Sequence, residues 1–214
     1  MAVDAAALGT QAGNIVSPGT LKTMDAPGQP APDEASAERN LVRRAQQGDH
    51  AAYAQLVRDN QSRIFRHLQN LTGSRDEALE LSQDVFLKAW QALPGWRPEA
   101  RFRTWLYRIA SHVAYDLLRR RRVVSFESLP EGHEVGSVSE GPEERLRAKQ
   151  AVVLLDAALA RLSVEQREIV LLREVEDLSY QELSNALGID EGTVKSRLAR
   201  ARSALAGIYT RMQT

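Results

Sequence analysis

The 214-residue sequence has no cysteine, few aromatic residues and no net charge. The absence of cysteine excludes disulfide bonds, thiolate nucleophiles and cysteine-ligated zinc, and it is typical of a reducing compartment. No apolar run approaches the roughly 20 residues that cross a membrane. The N-terminus lacks the basic start and apolar stretch of a secretory signal. We therefore expect a soluble, cytoplasmic protein with no membrane insertion.

The zero net charge conceals an uneven distribution of charge along the chain. Residues 38–122 carry 16 basic and 9 acidic side chains, whereas the segments on either side of them are slightly acidic. A basic block followed by an acidic spacer predicts that one segment meets a polyanion, such as nucleic acid, and that the spacer does not.

The hydrophobic pattern predicts an all-α protein with two small helical domains joined by a flexible linker. Residues 1–37 show no sustained period and are predicted to be a disordered tail. Residues 38–122 and 145–214 have helical periodicity. Residues 123–144, rich in Gly, Pro, Ser and acidic side chains, have the composition of a linker.

The C-terminal domain carries the start and stop signals of a helix-turn-helix. Capping boxes begin at Ser163 and Ser179, each with Gln or Glu three residues later. Gly188 suits a left-handed helix stop, and Asp190 suits the cap of the next helix. The unit is therefore predicted to be a short helix, a tight turn and a longer helix.

The longer helix is predicted to present a face that fits a DNA major groove. At about 100° per residue, one apolar stripe is formed by Val194, Leu198, Ala201 and Leu205. The rest of the helix offers basic, hydroxyl and small side chains, which are Lys195, Ser196, Ala199, Arg200 and Ser203. Arginine can fork onto guanine, and small residues permit close approach to the bases. A solvated amphipathic helix is the alternative for this face taken alone.

In the N-terminal domain, a broad apolar arc predicts a central helix packed on two sides. Ala78, Leu81, Val85 and Ala89 form its centre, and the arc is widened by Leu79, Phe86, Trp90 and Leu93. Its remaining face carries Glu77, Glu80, Gln83 and Asp84. This acidic stripe, inside the most basic segment, is either a solvated face or a surface that docks onto a basic protein.

The next helix combines basic and aromatic residues on one face. Its core face is predicted to contain Phe102, Leu106, Ile109, Ala110, Val113 and Leu117. The opposite face gathers Arg108, Ser111, His112, Tyr115, Arg119 and Arg122. Arginine meets phosphates and rings stack on unpaired bases, so this face predicts contact with nucleic acid. No metal-ligand spacing or nucleophile–base pair stands out. We therefore expect that the protein binds no metal ion or cofactor and is not an enzyme.

These blocks together resemble the bacterial sigma-70 superfamily, in particular its small extracytoplasmic-function (ECF) group. The resemblance covers roughly residues 39–122 and 145–210. It rests on the motifs AQQGDHAAYAQLV, DEALELSQDVFLKAW, FRTWLYRIASHVAYDLLRRRR and LSYQELSNALGIDEGTVKSRLARAR. It implies that residues 38–122 are sigma region 2, which binds core RNA polymerase and melts the minus-ten promoter element. Residues 145–214 would then be region 4, which reads the minus-thirty-five element.

The resemblance also implies roles for individual residues. The polymerase-binding residues would be Glu80, Gln83 and Asp84. A loop at residues 95–101 matches one that captures a flipped base, with Trp96 where an aromatic is usual and His112 where asparagine is frequent. The minus-ten contacts would be Trp96, Arg97, Arg101, Arg108, His112, Tyr115, Asp116, Arg119 and Arg120. The minus-thirty-five contacts would be the five recognition-helix residues named above.

The expected function is therefore that of a promoter-specificity subunit, with core RNA polymerase, promoter DNA and an anti-sigma factor as partners. Two other readings of the same residues are a stand-alone helix-turn-helix regulator and a protein-interaction adaptor without DNA binding. The basic aromatic block at residues 96–122 argues against the first, and the groove-facing residues of the last helix argue against the second.

Overall fold

The computed structural model describes residues 32–124 and 142–213, and all regular structure within these two ranges is helical. Four helices form the first module and four the second. Their bounds are α1 Pro32–Gln46, α2 His50–Thr72, α3 Arg75–Ala92, α4 Phe102–Val124, α5 Pro142–Ala160, α6 Val164–Val170, α7 Tyr180–Leu187 and α8 Glu191–Gln213. The all-α prediction is confirmed.

The first module is a bundle in which α2, α3 and α4 pack against one another and α1 covers α2. Asp49 caps α2 by accepting from the amides of Ala51 and Ala52. Gly73 ends the same helix with φ +77°, a left-handed conformation that glycine adopts without steric cost. Ser74 then caps α3. These short, capped connections fix the antiparallel order of α2 and α3.

The second module confirms the predicted helix signals. Both capping boxes form, with the hydroxyl of Ser163 or Ser179 accepting from the amide three residues later. Gly188 ends α7 with φ +66°, and Asp190 accepts from the amide of Thr193 at 2.8 Å. A turn of π-helix, Leu171–Val175, extends α6. Helix α8 packs on α5, α6 and α7 and forms the core of the module.

The helix ends differ from the predicted boundaries at three places. Helix α1 begins at Pro32, inside the segment that was predicted to be a disordered tail. Proline is compatible with the first turn of a helix, because its missing N–H would be unbonded there. Helix α4 runs to Val124 and α5 begins at Pro142, so the helices enter both ends of the predicted linker. The rest of the tail and residues 125–141 lie outside the described residues.

The two modules pack against each other, which the sequence pattern did not predict. Helix α4 of the first module lies along α7 of the second, and the end of α2 contacts α6 and the π-turn. The buried side chains of both modules join in one continuous apolar core. As a result, α4 is covered on two sides, by its own bundle and by the second module.

Candidate nucleic-acid and polymerase interfaces

The recognition face of α8 is fully open to solvent. Val194, Leu198 and Ala201 of the predicted apolar stripe are buried, and Leu205 is half-buried. The five predicted DNA-contacting residues, Lys195, Ser196, Ala199, Arg200 and Ser203, are all exposed. The Nζ atom of Lys195 lies 5.9 Å from the centre of the Tyr180 ring. This surface has the basic, small-residue character that fits a major groove.

The predicted basic face of α4 is only partly open. Five of its predicted DNA-contacting residues are exposed, namely Arg108, His112, Asp116, Arg119 and Arg120. Arg119 forms an exposed ion pair with Asp116 at 3.2 Å, a contact that salt and solvent weaken. Tyr115 differs from them: it is half-buried, and its hydroxyl donates to a carboxylate of the second module.

The loop at residues 95–101 holds its aromatic residue in a ring cluster. The ring of Trp96 stacks on Trp105 with centroids 4.8 Å apart and an angle of 18°. The side-chain amide of Gln46 donates to the carbonyl of Trp96 at 2.7 Å and so ties the loop to α1. Arg97 is exposed, whereas Arg101 is half-buried and lies 3.6 Å from Glu182 of α7. The loop is therefore positioned by both modules.

Helix α3 presents a mixed acidic and apolar surface. Glu80, Gln83 and Asp84 are exposed, as predicted. Leu79 was expected to widen the buried arc, but this expectation is wrong: Leu79 is 56% exposed and lies beside the acidic stripe. Leu87 is exposed to the same extent. Apolar side chains rimmed by charge are typical of protein-binding surfaces, so the α3 surface fits a protein partner better than a solvated face.

The contact between the modules, here called the seam, contains charged residues that sequence reasoning missed. Tyr107 of α4 donates to the carboxylate of Glu176, which follows the π-turn. Tyr115 donates to the carboxylate of Glu168 in α6. Both glutamates are buried. Glu168 directly precedes the apolar run at residues 169–172. This position is the one sequence signal that could have indicated a buried glutamate.

Burial in the seam shifts the titration of its groups. Burial raises the pKa of Glu168, and it also raises that of Tyr115, which has two acidic neighbours. A cleft of about 630 Å³ adjoins this pair. Other charged or titratable side chains facing it are His112, Asp116, Arg119, Glu165 and Arg197. Deeper in the first module, burial lowers the pKa of His67 to about 4, so His67 is neutral at physiological pH.

Arg167 joins the modules through backbone carbonyls. Its guanidinium donates to Leu71 at the end of α2, at 2.9 Å. It also donates to Leu159 at 2.9 Å and to Ala160 at 2.6 Å, both at the end of α5. The last carbonyls of a helix lack intrahelical donors and carry partial negative charge. Arg167 therefore caps one helix of each module.

Residues 32–124 and 142–213 bring together no cluster of His, Asp and Glu suited to a metal ion. None of the helices in those ranges has the length and apolarity needed to span a bilayer.

Family models match both modules. A model described as Sigma-70 region 2 matches residues 56–123, and one described as Sigma-70, region 4 matches residues 153–205. The first match runs from within α2 to the end of α4, and the second runs from the second half of α5 through α6 and α7 to residue 205 of α8. Each match therefore lies within one of the two packed modules.

Named relatives match over most of the chain. The ECF RNA polymerase sigma factor SigE of Mycolicibacterium smegmatis is 35% identical over 74% of this chain, which spans 63% of the length of SigE. The RNA polymerase sigma factor NccH of Alcaligenes xylosoxydans xylosoxydans is 33% identical over 83% of this chain and 97% of its own length.

Solved structures agree in fold. CnrH in complex with the cytosolic domain of CnrY is similar with a TM-score of 0.62 at 26% identity, covering 82% of this chain and 98% of CnrH. RpoE in complex with the anti-sigma factor NepR from Bartonella quintana gives 0.59 at 25% identity, covering 74% of this chain and 96% of RpoE.

Proposed function

This chain belongs to the sigma-70 superfamily, in its extracytoplasmic-function group. We propose which of its described surfaces bind RNA polymerase and which bind promoter DNA. The first module, residues 38–122, acts as region 2 and the second, residues 145–214, as region 4. The exposed recognition face of α8 supports this assignment most directly, because its five predicted contacts are all exposed while the apolar stripe of the same helix packs inward.

We assign polymerase binding to the α3 surface. Glu80, Gln83 and Asp84 supply negative charge, and the exposed Leu79 and Leu87 supply apolar area next to it. Such a surface suits a basic partner with an apolar centre, since charge orients the encounter and apolar burial supplies affinity. The core RNA polymerase is that partner.

We assign capture of the minus-ten element to α4 and the loop before it. Trp96 and Tyr115 offer rings on which unpaired bases can stack, at about 1–3 kcal/mol for each base. Arg97, Arg108 and Arg119 are exposed, and their positive charge can neutralise phosphates. Base capture of this size offsets the cost of unstacking and so favours a melted promoter.

Each module on its own binds weakly, and the polymerase couples the two. Holding both modules at one spacing makes the second promoter contact intramolecular, which raises affinity without any new contact. The protein thus directs initiation and catalyses no reaction itself. By analogy with the complexes of CnrH and RpoE, we propose that an anti-sigma factor holds it inactive in the cytoplasm.

Transcription in vitro tests this function. The full chain is added to bacterial core RNA polymerase with a library of promoter sequences, and the transcripts are sequenced. We expect initiation from promoters that share two spaced elements, and no such initiation from core polymerase alone. Binding of the chain to operators without any association with polymerase would instead support the stand-alone regulator.

A further inference from the structure

The loop at residues 95–101 depends on neighbouring groups for its conformation. Residues 96–101 have no regular secondary structure and lie between the 3₁₀ turn Leu93–Gly95 and the first residue of α4. A segment of this kind samples several conformations unless other parts of the fold hold it. The stack of Trp96 on Trp105 holds one side chain of the loop, and the backbone needs partners of its own.

Gln46, the last residue of α1, holds the start of this loop. Its side-chain amide donates to the carbonyl of Leu93 at 3.1 Å and to the carbonyl of Trp96 at 2.7 Å. An amide NH₂ has two N–H groups, so one side chain serves both carbonyls. Val42 and Ala45 are buried and pack α1 onto the bundle. The amide is therefore presented from a fixed helix.

Glu38 of the same helix holds the far end of the loop. Its carboxylate accepts from the backbone amide of Phe102, the first residue of α4, at 3.2 Å. The first amides of a helix lack intrahelical acceptors and carry partial positive charge, so a carboxylate there is stabilising. Glu38 lies about two turns before Gln46 on α1. One helix therefore bonds both ends of the loop, through partners 64 and 50 residues away along the chain.

We propose that Glu38 and Gln46 are positioning residues for promoter melting, which hold the loop in the conformation that takes up an unpaired base. This inference rests on the proposed function, because it assigns the loop to the minus-ten element. Neither residue contacts DNA itself. A loop released from α1 is competent for only a fraction of the time, and its apparent dissociation constant for single-stranded DNA is the intrinsic constant divided by that fraction.

Two truncations release the loop from α1. Gln46→Ala removes two hydrogen bonds between neutral groups, and Glu38→Ala removes one to a charged group. Each change should lower the ratio of held to released loop about tenfold, and the double variant about a hundredfold. Glu38→Gln is the conservative variant, because its amide oxygen still accepts from Phe102, and it should restore most of the loss in Glu38→Ala. Gln47→Ala removes an exposed side chain of the same type at the next position and is the matched control.

The conformation of the loop is the first measurement, and it needs no polymerase. Because the chain has no native cysteine, Glu99→Cys in the loop and Gln61→Cys on α2, both at exposed positions, carry a pair of spin labels. We expect one narrow distance distribution in the parent chain and in Gln47→Ala, and a broad one in the double variant. The share of molecules that keep the parent distance gives the held fraction. Thermal unfolding followed by circular dichroism confirms that each variant is folded.

Affinity for promoter DNA is the second measurement, made with unlabelled chain bound to bacterial core polymerase. One DNA, taken from a promoter selected in the transcription assay, is a duplex that ends upstream of the minus-ten element. The other adds the minus-ten element as a single non-template strand. In the double variant we expect affinity for the second DNA to fall at least about fivefold, in proportion to the held fraction, with affinity for the first unchanged. Glu38→Gln should lie close to the parent.

The two measurements separate the possible failures. An unchanged distance distribution in the double variant refutes the hold of α1 on the loop. A released loop with unchanged affinity for the single strand refutes its role in base capture, and an equal loss on both DNAs shows a structural role alone. If the parent holoenzyme gains no affinity from the single strand, the proposed function of the loop fails, and the distances still decide whether α1 holds it.

Discussion

Truncating Arg167 is the sharpest test of how the two modules are held together. In Arg167→Ala, the carbonyls of Leu71, Leu159 and Ala160 lose their charged donor. The side chain is only 8% exposed, so water does not replace it without rearrangement. Burial lowers the pKa of Arg167 but leaves it charged at neutral pH.

The expected loss of stability in Arg167→Ala follows from the three hydrogen bonds that the guanidinium donates. A hydrogen bond to a charged group contributes about 1.5–3 kcal/mol, but part of that is offset by the cost of burying the guanidinium. Arg167→Ala leaves up to three buried carbonyls without this donor, at about 1–3 kcal/mol each, while the cost of burying the guanidinium is recovered, and we expect a net loss of about 3–5 kcal/mol. For a protein of this size it corresponds to a fall in Tm of roughly 10 °C.

Urea unfolding followed by far-UV circular dichroism, which follows the helices of both modules, measures the loss, and calorimetry gives the Tm. Arg161→Ala, in which an exposed arginine close to Arg167 in the chain is removed, should change stability by no more than about 0.5 kcal/mol. Arg167→Lys should lie between the two, because one ammonium cannot serve three carbonyls at fixed positions. A loss below about 1 kcal/mol in Arg167→Ala would show that the carbonyls are satisfied in another way and would refute this reasoning.

Three other perturbations probe the interfaces. Arg200→Ala should weaken recognition of the upstream promoter element by about 1–3 kcal/mol and relax base preference there, whereas Arg202→Ala, whose side chain pairs with Glu174, should not; binding to a set of single-base promoter variants measures both. Asp84→Lys should weaken association with core polymerase at least about tenfold at low salt, measured by surface plasmon resonance, and an equal loss in Asp59→Lys, an exposed charge reversal on α2, would contradict a specific surface on α3. Burial raises the pKa of Glu168, so the folded chain binds more protons than the unfolded chain and its stability should increase as the pH falls below neutral; Glu168→Gln should flatten this pH dependence of the free energy of unfolding in urea, and an unchanged slope would count against it.

Local sequence signals predicted much of the fold. The capping boxes at Ser163 and Ser179 and the left-handed glycine at position 188 depend only on residues within one helical turn, so they could be read directly. The exposed face of α8 followed from periodicity because one apolar stripe accounts for its packing. The start of α1 was missed because its first nine residues, Pro32 to Asn40, hold no large apolar side chain that would indicate a buried face.

The candidate site could be predicted only in part. Periodicity placed Tyr115 and Arg108 together on the polar face of α4, but it could not show that Tyr115 is half-buried. Leu79 shows the opposite error: an apolar residue was expected inside, yet no helix of the described chain covers it. Apolar character alone does not distinguish a position in the core from an exposed position on a protein-binding surface.

The amino-acid sequence by itself determined the helices, their caps, the two modules and the chemistry of each exposed face, because these depend on neighbours three or four residues apart. The tertiary structure alone decided that the polar face of α4 is shared between solvent and the second module. The partners of Tyr107 and Tyr115 lie 69 and 53 residues away. A tyrosine hydroxyl serves a phosphate or base and a buried carboxylate equally well, so the local pattern is the same for both, and only the packing of distant segments selects one.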